Sequence, residues 1–106
     1  DHRTVFQATL QATRPGAQNL VPYVFSFEVL SSTEWGFGNV FKPNFFCDIT
    51  QEIDLTIKSF GPYLTETKPF PFPRNEQAIR TLAQSRGMQC GVYYAEAFEL
   101  VRGIVL

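Results

Sequence analysis

The sequence predicts an α+β domain: an N-terminal antiparallel β-hairpin as the sheet, with two or three helices packed on one face. Three observations predict it. Residues 4–13 and 23–30 alternate apolar and polar side chains on either side of a turn-forming segment. Two later stretches, around 48–61 and 75–87, carry apolar residues at helical spacing between a capping residue and a glycine. Finally, 106 residues with 44% hydrophobic and 18% charged side chains suit one folded core. The chain is therefore read as one domain over residues 1–106.

In residues 4–13, Phe6, Ala8, Leu10 and Ala12 fall on one side of a strand, and Gln7, Thr9, Gln11 and Thr13 on the other. Arg14-Pro15-Gly16-Ala17-Gln18-Asn19 is a turn by composition. From Tyr23 to Leu30 the alternation resumes, with Phe25, Phe27 and Val29 set against Ser26 and Glu28. Residues 31–47 read as an irregular aromatic loop containing Trp35, Phe37, Phe41, Phe45 and Phe46, with a short strand over 39–41.

Asp48 is placed to cap a helix, with Gln51 completing a capping box. Ile49, Ile53, Ile57 and Phe60 lie within about 80° on its wheel, and Gly61-Pro62 ends it. Residues 63–68 are expected to be extended. Pro69-Phe70-Pro71-Phe72-Pro73 follows as a stiff polyproline-type spacer presenting two rings, because each proline fixes its own φ and restricts its predecessor. Asn75 caps a second helix running to about Arg86 and stopped by Gly87, with Ala78, Ile79, Leu82 and Ala83 inside and Glu76 paired to Arg80 outside. For the C-terminal segment the reading is a short strand within 88–94 followed by a helix through Arg102.

The chemistry-bearing residues exclude more than they suggest. The one histidine, His2, sits at the terminus, where a general base cannot be held rigidly. Cys47 and Cys90 are expected as free, buried thiols, and one histidine with two cysteines gives no zinc-site spacing. Trp35-Gly36-Phe37-Gly38 lacks the lysine of a phosphate loop. Gly91-Val92-Tyr93-Tyr94 echoes a GIY nuclease motif only superficially, since that motif opens its domain. No metal and no cofactor is expected.

Two weak constellations remain. Asp54, Glu66 and Lys68 have the order of an acid followed by acid-x-lysine, which would make the chain a metal-dependent hydrolase or nuclease. Lys68, Arg74, Arg80 and Arg86 form a locally basic run, but the chain's net charge of −1 argues against nucleic-acid binding. No apolar run spans a membrane and no leader is visible, so a cytoplasmic protein is expected.

The stronger signal is aromatic. Eleven phenylalanines outnumber the four tyrosines and one tryptophan together. Strand 4–13 also lacks the lysine, proline or bulge that guards an edge. The reading is a non-catalytic protein-interaction or assembly module, oligomeric or bound to a protein partner, contacting it through Phe70, Phe72, Trp35, Phe37, Phe45 and Phe46. A carrier of small apolar ligands is the further alternative.

Overall fold

A computed structural model describes residues 1–30, 40–61, 69–72 and 75–106. The order of elements is α1 (His2–Ala12), β1 (Tyr23–Phe27), β2 (Phe45–Asp48), α2 (Ile53–Ser59), α3 (Glu76–Cys90) and β3 (Ala95–Gly103). The class is α+β, but the N-terminal hairpin is not formed. The first segment is a helix, and the three antiparallel strands are ordered β1-β3-β2.

Helix α1 forms because Asp1 accepts a hydrogen bond from the Thr4 amide at 2.8 Å, an N-cap. Thr9 and Thr13, which favour strands, fit because each hydroxyl donates to the carbonyl four residues back, both at 2.8 Å. On the helix, Arg3, Thr4, Gln7 and Gln11 share one side, while Val5, Phe6, Ala8, Leu10 and Ala12 occupy the rest. None of its residues is buried.

The C-terminal segment reverses the expected order. Residues 88–90 end α3, and the stretch read as a helix is the central strand β3, paired on both edges. Its deceptive spacing has a local cause. Val24 faces Arg102 and Phe25 faces Leu100, so β3 carries an extra residue, Val101, at a bulge. A bulge breaks the two-residue period and places Leu100 and Val101 at a spacing that mimics a helix.

Asn75 caps α3 as predicted, its Oδ1 accepting from the Ala78 amide at 2.8 Å. The helix does not stop at Gly87. It continues to Cys90 and ends at Gly91, whose φ of +90° is the left-handed conformation that suits glycine. Gly87 has another task. A Cβ there would stand 2.5 Å from the Val92 carbonyl oxygen, so only glycine lets the returning chain cross α3.

Asp48 caps no helix. It ends β2, and its carboxylate accepts from the Thr50 amide at 2.9 Å and the Thr50 hydroxyl at 2.6 Å. Those bonds hold its pKa below the ordinary carboxylate range, the hydroxyl contributing most. The Ile49 amide bonds Tyr94 O at 3.0 Å, so the backbone here serves strand pairing and α2 begins only at Ile53.

Ile53, Ile57, Ile79 and Ala83 form the core between α2 and α3, with Leu30, Ile49 and Tyr94 packed against it. Phe60, expected in that stripe, is exposed. Helix α3 rests on β3 over Ala95 and Ala97, both buried and small enough for close approach. Val24, on the same side of β1 as Ser26, is buried too.

Candidate functional site

Strand register divides the sheet into two faces. Directly opposed residues share a face, and neighbours along a strand alternate. Ser26, Phe46 and Asp48 lie opposite Glu99, Ala97 and Ala95, on the face over which α3 packs. Tyr23, Phe25, Phe27, Phe45, Cys47, Glu96, Phe98 and Leu100 occupy the other, open face.

That open face is aromatic and solvent-exposed. Phe27 is 63% exposed, Tyr23 51%, Phe45 48% and Phe25 40%. Phe25 lies at the centre of the group. Its ring centroid is 4.9 Å from that of Phe45, 6.2 Å from Phe98 in an edge-on contact, and 6.5 Å from Tyr23. These are favourable ring-to-ring geometries, so Tyr23, Phe45 and Phe98 are ordered around Phe25, with Phe27 on the same face. Glu96 is the one charge at these eight positions.

The structure sorts the sequence-predicted contact residues. Phe45 belongs to the open face. Phe46, its neighbour on β2, points to the helix side and is half-buried. Phe70 is exposed and Phe72 half-buried. Trp35 and Phe37 lie outside the described residues, as do residues 63–68 and the proposed strand's Asn39; Val40 and Phe41 are in no strand. Residues 69–72 of the proline segment form a turn rather than an extended spacer. The Phe72 amide donates to Pro69 O at 3.1 Å, closing a turn with a cis Phe70-Pro71 bond, and Asn75 Nδ2 reaches back to Phe72 O.

Sequence reasoning does not single out Tyr23, Phe25 and Phe27 as an exposed aromatic face for a definite reason. Alternation shows that Phe25 and Phe27 share a side, but it does not say which side is covered. The alternation sets Phe25 and Phe27 against Glu28, and the structure leaves the rings on the open side. Glu28 is half-buried and bound to Arg86, while Val24 fills the interior.

The other constellations come apart. Asp54 is exposed on α2 and holds Arg80 at 2.8 Å, while Glu66 and Lys68 lie outside the described residues. Among the described residues no cluster of His, Cys, Asp and Glu is placed to hold a metal ion. Arg80 also lies 3.9 Å from Glu76 and 5.9 Å from the Tyr94 ring; Asp54 first and Tyr94 second raise its pKa, fixing its charge. Arg86 donates to Glu28 through Nε at 3.0 Å and Nη2 at 2.5 Å. Two of the four cations of the basic run are thus neutralised by carboxylates; Lys68 and Arg74 are not described. Cys47 and Cys90 are free, and both are exposed rather than buried. No described helix is long and apolar enough to cross a membrane.

Compared with protein-family models, curated proteins and solved structures, the chain finds no match in any of the three.

Proposed function

We propose that the chain is a non-catalytic protein-interaction and assembly module whose contact surface is the open face of its sheet. The observation that carries this reading is the run of exposed rings on one face, Tyr23, Phe25, Phe27 and Phe45, of which Tyr23 and Phe45 pack against Phe25. Rings held in contact with one another but left in water favour association, because covering them removes apolar area at about 25 cal/mol per Å². Phe70, on the turn before α3, is a further exposed ring.

Aromatic sheet faces also stack nucleic-acid bases, but such platforms combine rings with cations that follow the phosphates. Here the face carries Glu96, and Arg80 and Arg86 are engaged by carboxylates. A protein surface is the better fit.

The test is substitution of Phe25 and Phe27 together by threonine, which keeps strand propensity while removing the rings. Sedimentation velocity across a wide concentration range should show the wild type associating and the variant monomeric, with unchanged far-ultraviolet circular dichroism. Association that survives both substitutions would remove the open face as the contact surface.

A further inference from the structure

Resting on that reading, we infer that the open face is covered by helix α1 of a second copy of this chain, reciprocally, in a two-fold dimer. Two apolar surfaces are left exposed among the described residues: the aromatic face of the sheet and the Val5 and Phe6 side of α1, a helix with no fully buried residue, Leu10 at the edge of that side being half-buried. Each is suited to the other. Helix α1 has 11 residues, about 16 Å at 1.5 Å per residue, against about 17 Å for the five residues of β1.

Charge agrees with this pairing. The open face carries one described charge, Glu96, whereas α1 carries Arg3 at the boundary of its apolar side and no carboxylate beyond Asp1, which caps the helix. The polar side with Thr4, Gln7 and Gln11 would remain in water. Two open faces packed directly together would instead leave both Glu96 side chains among rings without a cation.

The helix cannot reach its own open face. Its C-terminal carbonyl, that of Thr13, is held by Arg102 Nη2, and Arg102 lies opposite the buried Val24. The helix therefore departs from the covered side of the sheet, and residues 14–22 lead directly into β1. A second copy is not so restricted, and a two-fold axis makes each contact twice.

The area suffices. At about 200 Å² per ring side chain, the exposed parts of Tyr23, Phe25, Phe27 and Phe45 give roughly 400 Å². Val5 and Phe6 add roughly 200 Å². Counted on both copies, about 1,200 Å² is covered from these side chains alone, the lower limit for a stable interface.

The experiment uses the full chain in three arms. Val5→Ser with Phe6→Ser should raise the dimer dissociation constant at least about tenfold by sedimentation, with no loss of fold because both side chains are exposed. Arg3→Glu should weaken the dimer, and adding Glu96→Arg should restore it. Finally, copies carrying Val5→Cys, Cys47→Ser and Cys90→Ser are mixed with copies carrying Cys90→Ser alone and treated with a short bis-maleimide. A covalent heterodimer joining the introduced thiol to Cys47 is expected. A dimer that persists in the helix variant, or a missing heterodimer, overturns the α1 contact while leaving the open-face reading intact. Loss of association only on substituting Phe25 and Phe27 likewise overturns the α1 contact. A wild type that is monomeric at every concentration overturns the inference outright.

Discussion

Arg86 reaches Glu28 through two nitrogens, stacks 5.5 Å over the Phe41 ring and touches Gln89 at 3.1 Å. Its side chain is 17% exposed and that of Glu28 11%, so water does little to screen the pair. Removing one partner leaves a charge in a poorly solvated place, whereas removing both does not. Arg86→Ala should therefore cost about 2–3 kcal/mol of folding stability, and Glu28→Met with Arg86→Leu much less, as read by urea unfolding. A double variant as unstable as the single one would mean that the pair is not coupled. Asp48 gives a different signal, because its site is exposed. Its carboxylate is favoured by the Thr50 hydroxyl and amide, so its folded-state pKa lies below its unfolded value. Such a group adds stability above the unfolded Asp value of about 3.9 and loses it as pH falls through the lower folded value. A carbon-detected titration of Asp48 should show a depressed midpoint, and Asp48→Ala should flatten that acid limb. A midpoint at the ordinary Asp value would show that the Thr50 bonds are not made in solution.

At the scale of elements, α3 is the most legible part of the chain, since its signals are local. Asn75 stands immediately before a periodic apolar run, and the cap forms as the residue type demands. Asn75→Ala should cost about 1 kcal/mol in thermal or urea unfolding, because the Ala78 amide loses its acceptor. An unchanged midpoint would show that the cap contributes nothing. The C-terminal end of the same helix is illegible because Gly87 resembles a stop, while its role is to admit the Val92 carbonyl. That requirement comes from a chain crossing absent from any local window. Strand β3 is hidden for a related reason: its identity rests on partners about 50 to 80 residues away in sequence, and its bulge erases the alternation. Helix α1 imitates a strand because Gln7, Thr9, Gln11 and Thr13 satisfy a two-residue period by composition. The Thr9 and Thr13 hydroxyls then make those residues compatible with a helix. Of the candidate surface, Phe45 is visible in the sequence. Tyr23, Phe25 and Phe27 are not, since which face a helix covers is decided by where α3 lands.

At the scale of the whole molecule, the layers are unequal. Among the described residues, α3 covers one face of the sheet, the opposite face is exposed, and α1, tied to β3 at Thr13, leaves Val5 and Phe6 exposed. A helix of 11 residues with no fully buried side chain is marginal in water, since nucleation is costly and propagation adds little per residue. The stability of α1 should then depend on whatever it packs against. In a dimer of the inferred kind, that packing is governed by mass action, because only the folded pair provides the surface. Amide hydrogen exchange can separate the parts. The central strand β3 and the buried stretch of α3 around Ile79 and Ala83 should exchange slowest at every protein concentration, since they open only with the core. The amides of α1 should exchange almost unprotected in dilute protein and become protected as concentration rises. The Phe25 and Phe27 threonine variant should keep them unprotected throughout. Protection of α1 that is strong and independent of concentration would mean the helix is held within its own chain, and the bare sheet face would then need another occupant.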